Sequence, residues 1–356
     1  MRILLICKRY YTNKDLLKDK FGRLYHLPKQ LANRGINVLV LAFDYRNSVK
    51  KELTEDNLII QSIPTTPSKI LSAPVRVYLK SKNFFPDIVI ASADSHIGLL
   101  GLLIARKFKI PFVFDVYDYY PAFNGNKIPG FKFIFHTVVK KANLLLCTST
   151  SLEKKLILLN ANTSLIQNGV DTNLFHPMDM MKTRAELGLA LDALYIGYFG
   201  SIDASRGPLL IEAGKVLRKK HPKLRLLLAG KIKGVNISYP WIQYFGNLPH
   251  NKIPNLINSC DLVAIPYAKT SFNDYCGACK IAEYLACGKP IVATKVSDHE
   301  HLLVETPASL CDPNYESMVD SLQLQLLQRK CATFSKKLTW THIGSIIYSE
   351  LNLLQK

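Results

Sequence analysis

The sequence predicts an α/β protein built from two Rossmann-like, doubly wound domains. Short β-branched or leucine-rich runs alternate with amphipathic segments from end to end, the pattern of a parallel sheet flanked by helices. The series restarts after Pro177. A chain of 356 residues with 48% hydrophobic content is longer than one usual domain and can bury two cores.

In the first series the expected strands cover residues 3–7, 38–43, 58–62, 88–91, 112–116, 144–147 and 165–166. Most are unbroken apolar runs, such as Ile3-Leu4-Leu5-Ile6-Cys7, as suits strands covered on both faces. Helices are expected near residues 23–33, 96–107, 131–141 and 152–159. The second series places strands at 194–199, 224–229, 242–245, 262–266, 291–293 and 309–311, with helices near 208–220, 251–259, 279–287 and 315–327. Residues 339–354 read as a last amphipathic helix, with Trp340, Ile343, Ile347 and Leu351 at helical spacing. No repeat of solenoid length is present.

Bulk properties narrow the classes. The apolar run before Lys8 and Arg9 is too short for a signal-peptide core and reads as a first strand, so a cytoplasmic location is expected. The longest apolar run, from Ile97 to Ala105, falls far short of a membrane span. Eight cysteines without framework spacing suggest reduced, mostly buried thiols. Cys276 and Cys279 form a single C-x-x-C, and His299 and His301 lack the spacing of a zincin helix, so no metal site is expected. The net charge is +19, and residues 1–150 hold 23 Lys/Arg against 10 Asp/Glu, or +13, leaving +6 for the rest. That asymmetry suggests an anionic membrane surface as a partner of the first domain. Nucleic acid is not expected, since no zinc-finger spacing, aromatic ribonucleoprotein motif or arginine-rich tail occurs.

The densest local signal is the stretch from Cys279 to Thr294, which reads as a short helix, a glycine stop and a buried strand. Lys280 and Glu283, three residues apart, fall on one helix face, and a cation and carboxylate held together at a first turn would suit a ligand with phosphate and hydroxyls. Gly288 fits the position after the helix, with Pro290 just beyond it. A solvated salt bridge beside an ordinary turn explains the same residues, and they do not decide between the two.

The stretch resembles the donor-site signature of glycosyltransferase family 4, retaining nucleotide-sugar transferases of the GT-B fold. Asn168-Gly169-Val170-Asp171 followed by Phe175-His176-Pro177 resembles that family's interdomain junction, and Trp340 resembles its C-terminal tryptophan. Three matches in the family's order span both halves of the chain. The resemblance implies an N-terminal acceptor-binding domain over residues 1–172, a donor-binding domain over 173–338, and a helix at 339–356 that returns to the first domain. In that fold the two domains face each other across a cleft.

Ligands of open α/β sheets bind outside the carboxyl ends of the strands, so the loops there carry the candidates. After the first strand of the second domain, Gly200 permits close backbone approach, Arg206 can fork onto a diphosphate and Pro208 suits a first helical turn. By resemblance Arg206 takes one place of the family's basic pair while Ser201 stands at the other, and Lys280 fills the gap. Glu283 matches the second glutamate of the family's pair and would hold the ribose. The first falls on Tyr275, leaving Asp274 and a backbone N–H of Gly277 to serve the sugar. Glu300 matches an acidic position facing the donor, and Gly22 matches the glycine-rich loop near the donor phosphates. Asp118 resembles the aspartate of the acceptor loop and is the candidate base or acceptor ligand, with Tyr117 where a basic residue is common. His96 is a further acceptor candidate, beside Asp94 and Ser95, either of which also suits a helix N-cap.

No dinucleotide, P-loop or nucleophile-elbow motif occurs, which argues against an oxidoreductase, a P-loop phosphotransferase and an α/β-hydrolase. The implied function is transfer of a hexose from a nucleoside diphosphate sugar to a hydroxyl of a glycan or lipid-linked acceptor. Such a step belongs to assembly of cell-surface polysaccharide, lipopolysaccharide or glycolipid. It proceeds with retention, without a metal, on the inner face of the cell membrane. The alternatives are a catalytically silent nucleotide-sugar-binding or glycan-assembly scaffold, prompted by Tyr275 and Ser201, and a nucleotide-sugar epimerase of the same fold.

Overall fold

The computed structural model describes residues 1–11, 14–122, 128–277 and 279–355. Two compact units are formed: residues 1–168 with 275–277 and 340–356, and residues 169–274 with 278–339. The first unit ends a few residues before the expected boundary at 172. The reason is local: the Val170 N–H donates to the Leu338 carbonyl at 2.8 Å and Val170 bridges Thr339, which anchors this junction in the second unit. Nothing in the sequence indicates that residues 275–277 join the first unit.

The first unit contains β1 (Arg2–Lys8), a small antiparallel pair of β2 (Tyr10–Tyr11) and β3 (Lys14–Asp15), α1 (Leu16–Asp19) and α2 (Arg23–Ala32). Then come β4 (Asn37–Asp44), β5 (Glu52–Glu55), β6 (Leu58–Pro64), α3 (Ala73–Phe84), β7 (Ile88–Ser92), α4 (Ser95–Phe108) and β8 (Phe112–Val116). It ends with α5 (Phe131–Lys141), β9 (Leu144–Cys147), α6 (Thr150–Ile157) and β10 (Thr163–Leu165). Eight strands form one sheet in the order β10-β9-β8-β7-β1-β4-β6-β5, parallel but for β5. Every residue of β7 and β8 is buried, as their unbroken apolar runs require. β10 lies two residues earlier than expected. β5 escapes sequence reading because its Glu-Leu-Thr-Glu is half-exposed on the sheet edge.

α3 was also unexpected, for a physical reason. Its inward stripe holds one aliphatic residue, Val77, between Ala73 and Ser81, while Val75 and Leu79 point outward, so apolar residues fall on both faces and mark no single buried one. α4 packs tightly because it carries glycine where it meets the sheet. A Cβ on Gly98 would lie 2.8 Å from the Phe114 ring, and one on Gly101 2.8 Å from the Ala91 Cβ. The C-terminal helix, Trp340–Leu353, buries Trp340, Ile343, Ile347 and Leu351 and packs on α2, with Trp340 stacked at 4.9 Å on His26.

A buried ion pair ties this unit together. The Arg23 guanidinium, at the start of α2, donates to Asp115 on β8 at 2.7 and 2.9 Å and to the Ile166 carbonyl at 2.5 Å, and the Ser92 hydroxyl on β7 donates to the same carboxylate. Both charges are almost fully buried.

The second unit adds α7 (Met180–Glu186), β11 (Leu194–Phe199), α8 (Pro208–Leu217), β12 (Leu224–Ala229), β13 (Ile242–Tyr244), α9 (Ile253–Ser259) and β14 (Leu262–Ile265). It continues through α10 (Cys279–Ala286), β15 (Ile291–Thr294), α11 (His299–Leu302), β16 (Leu310–Cys311) and α12 (Tyr315–Gln328). Six parallel strands run in the order β13-β12-β11-β14-β15-β16. The order reverses direction between β11 and β14, which makes their carboxyl ends the switch point where such sheets bind ligands. Gly288, at φ 65°, ends α10 as expected. No described helix is long and apolar enough to cross a membrane.

Removing one partner of a buried pair leaves an uncompensated charge, at a cost of about 3–5 kcal/mol. Arg23→Met is therefore expected to lower the thermal unfolding midpoint sharply, and Arg23→Met/Asp115→Leu to recover part of the loss.

Candidate functional site

At the switch point of the second unit, the loops after β11 and β14 are stitched together by backbone bonds. The Ala268 N–H donates to the Ser205 carbonyl at 2.8 Å, Arg206 bridges Tyr267, and Arg206 and Asp203 exchange two bonds of 2.9 and 3.0 Å. Asn273, fully buried, completes the seam, accepting from Arg206 Nε at 3.0 Å and donating to the Ala268 carbonyl at 2.8 Å. The Arg206 guanidinium is thereby held over two rings, 4.6 Å from the centroid of Tyr267 and 4.8 Å from that of Phe272.

Lys280, in the first turn of α10, reaches the other side of the cluster. Its Nζ lies 3.0 Å from the Tyr267 hydroxyl. Gly200, at the end of β11, makes room for it: a Cβ there would stand 2.3 Å from Lys280 Cε. α10 is itself docked by Tyr284, whose hydroxyl accepts from the Phe199 N–H at 3.1 Å. Burial disfavours the Lys280 ammonium, the Tyr267 contact favours it, and the balance holds its pKa above the ordinary lysine value, so it is charged at neutral pH.

The expected pairing of Lys280 with Glu283 is not formed. The two side chains share a helix face, yet each finds its partner on another segment. Glu283 Oε1 lies 2.9 Å from His250 Nε2, and the His250 ring stands 4.9 Å from the buried Phe175. His299, at the start of α11, is buried with Nδ1 2.8 Å from the Thr294 carbonyl. A carbonyl can only accept, so Nδ1 carries the proton. Burial, reinforced by the nearby Lys280 charge and only partly countered by that bond, lowers the His299 pKa to about 4. Glu300 is exposed in the same turn.

The remaining sequence candidates lie in the first unit or pack differently. Tyr275 and Gly277 belong to that unit, where the Ser149 hydroxyl donates to the Tyr275 carbonyl at 3.1 Å. Lys155 Nζ sits 4.8 Å from the Tyr275 ring and 4.5 Å from that of Tyr119. A Cβ on Gly277 would meet Asn168 Nδ2 at 2.5 Å. Asp118 is half-buried just beyond β8, and its carbonyl accepts from the Tyr120 N–H at 2.9 Å. Tyr117 does not present a side chain for acceptor binding: its ring is buried edge-on against Tyr11 and Tyr120. His96 is exposed on the first turn of α4. Asp94 occupies the N-cap position of α4 without a capping bond, because its carboxylate pairs with Lys8 at 2.6 Å. Gly22 precedes α2 at φ 71° beside the Tyr11 ring. The eight cysteines form no disulfide, and among the described residues no cluster of His, Cys, Asp and Glu is arranged to hold a metal.

Comparison with known proteins finds a glycosyltransferase model on each half of the chain. Residues 23–174 match the model described as Glycosyltransferase Family 4, and residues 193–328 match that of Glycosyl transferases group 1, one on each sheet. Both halves of the chain are thus similar to glycosyltransferases, the first of them to family 4. Among curated family relatives it is similar to a D-inositol 3-phosphate glycosyltransferase of Segniliparus rotundus, 31% identical over 46% of this chain and 37% of the relative. A protein of that name from Mycobacteroides abscessus is 28% identical over 49% of this chain and 41% of its own length. These matches thus take in well under half of either relative. Among solved structures, the sucrose-phosphate synthase of Thermosynechococcus elongatus superposes with a TM-score of 0.77 at 16% identity, over 99% of both chains. HepE of Anabaena, solved in complex with UDP, gives 0.76 at 19% identity, over 99% of this chain and all of that one. The fold is GT-B, with two Rossmann-like domains.

Tyr267, Asn273, His250 and the buried role of His299 were missed from sequence. Tyr267 follows the end of β14, so the strand-end rule that singled out Gly200 also points to it. His250 carries no such signal, being far from Glu283 along the chain.

The His299 shift has a testable sign. Between its native value of about 4 and the ordinary 6.5, the unfolded chain binds a proton that the native state does not. Its penalty is absent above about pH 6.5, grows as pH falls, and levels off near 4 at about 3 kcal/mol. Denaturant titrations of wild type and His299→Asn should show their stability difference shrinking by that order as the pH drops through this window.

Proposed function

We propose that the protein is a hexosyltransferase that moves a sugar from a nucleoside diphosphate to a hydroxyl of a glycan or lipid-linked acceptor, with retention, in assembly of a cell-surface glycan. The observation that carries the reading is the convergence of Arg206 and Lys280 on Tyr267 at the switch point of the second sheet, close to Glu283 on the same helix as Lys280. Two fixed cations suit the charge that grows on a departing diphosphate. Their neutralisation of that charge takes the part a divalent cation would otherwise take, so no metal is invoked.

In this reading Glu283, fixed by His250, accepts from the ribose hydroxyls, and Gly200 lets the diphosphate approach the end of β11 next to Lys280. Glu300 is the further donor contact that family likeness assigns on the second unit. Asp118 and His96 bind the acceptor, and Asp118 orients its nucleophilic hydroxyl. HepE was solved with UDP and the trehalose-6-phosphate protein of E. coli with UDP-2-fluoro glucose, which makes a uridine donor the first to try.

The test is binding and turnover with a panel of nucleoside diphosphates and their sugars. A thermal shift with one of them is expected. Glu283→Ala should weaken that nucleotide about tenfold or more, while Arg206→Ala and Lys280→Ala should each lower turnover by about 10²–10³. Nucleotide binding with no sugar transfer to any supplied acceptor would favour the silent scaffold. No binding would sink the site assignment.

A further inference from the structure

Helices α3, α4 and α5 lie next to one another in one layer against the first sheet. Their sequences contain no Asp or Glu. They carry instead eight Lys and Arg, of which Lys82, Arg106, Lys107, Lys132, Lys140 and Lys141 are exposed. Between these cations stand large apolar side chains that the fold leaves in solvent. Leu71, just before α3, is 91% exposed, Phe133 on α5 is 75% exposed, and Val75, Leu79 and Leu103 are each more than half exposed.

The exposure is a property of the faces. Leu71, just before α3, and Val75 and Leu79 within it recur every fourth residue opposite the inward Ala73, Val77 and Ser81. In α5, Phe133 lies opposite Phe135, which is buried. Single exposed apolar residues are ordinary, but a run of them among unopposed cations is the pattern of a surface that meets anionic headgroups and the acyl boundary together.

We propose that this outward face of α3, α4 and α5 docks the protein on an anionic lipid bilayer, with Leu71, Val75, Leu79, Leu103 and Phe133 entering the interface and the lysines and arginines meeting the headgroups. Charge complementarity selects this occupant. A second copy of the chain would set two acid-free, cationic layers against each other. A nucleic acid would satisfy the cations and leave five aliphatic and aromatic side chains without a partner. The proposal deepens the function above by placing a lipid-linked acceptor within reach. It rests on that function only for its purpose, because lipid binding is read without turnover.

The experiment is co-sedimentation of the whole protein with vesicles of phosphatidylcholine alone, or with about a third phosphatidylglycerol, at low and moderate salt. Binding to the anionic vesicles should exceed that to neutral ones about tenfold or more and weaken with salt. Val75→Ser/Leu79→Ser/Phe133→Ser, and separately Lys132→Glu/Lys140→Glu/Lys141→Glu, should each reduce it about tenfold while the circular dichroism spectrum is kept. Should either variant fail to fold, Phe133→Trp serves in its place, with a blue-shifted emission expected only on anionic vesicles. Equal binding to both vesicle types, serine-variant binding equal to wild type, or unshifted Phe133→Trp emission overturns the proposal. So does a wild-type dimer made monomeric by the serine variant, or capture of RNA in preference to the vesicles. Loss of nucleotide binding with vesicle binding intact would strike the function and leave this surface standing.

Discussion

The second unit is organised around Tyr267. Two cations cannot be brought to one strand end without opposing each other, and the tyrosine makes the arrangement tolerable by offering a different feature to each. Its ring lies against the Arg206 guanidinium and its hydroxyl meets the Lys280 ammonium. Because the ring is itself buried, its position is set by the end of β14 and by the loop that Asn273 sews down. The cations are thus placed before any ligand arrives, and preorganised charge is what stabilises a departing anion.

The same constraint explains Gly200 and His299. Lys280 can lie across the end of β11 only because Gly200 has no side chain to meet it. His299 stands where a third positive charge would be most costly, with its ring 5.7 Å from that of Tyr267, and burial keeps it neutral. A proton on His299 would add repulsion to a pair already opposed. The local design therefore separates residues that carry charge from those that stay neutral beside them.

Much of this was legible in the sequence because it rests on local chemistry. The central strands announced themselves as apolar runs, Gly288 as a stop, and Gly200, Arg206, Lys280 and Glu283 as polar or small residues near strand and helix ends. What stayed hidden depends on tertiary partners. Helical spacing places Lys280 and Glu283 together, but it cannot reveal that Tyr267 and His250, from other segments, capture each of them. The same limit hid α3, whose apolar residues fall on both faces, and the buried Arg23–Asp115 pair, whose members are distant along the chain.

Tyr275 shows what a departure from family pattern means physically. The family has a glutamate there, and the tyrosine, with Ser201, prompts a silent scaffold as the alternative reading. The tyrosine instead packs with Tyr119 and shares the Lys155 ammonium, while its carbonyl receives the Ser149 hydroxyl. A cation held over two aromatic rings is stabilised without a counter-ion, so Tyr275 belongs to a self-consistent packing arrangement in the first unit. The cation pair at Tyr267 and the carboxylate at Glu283 are built from other residues and do not draw on this position. Under the proposed function, loss of the glutamate would bear on how a sugar ring is gripped, and it leaves the groups that would meet a diphosphate and a ribose in place.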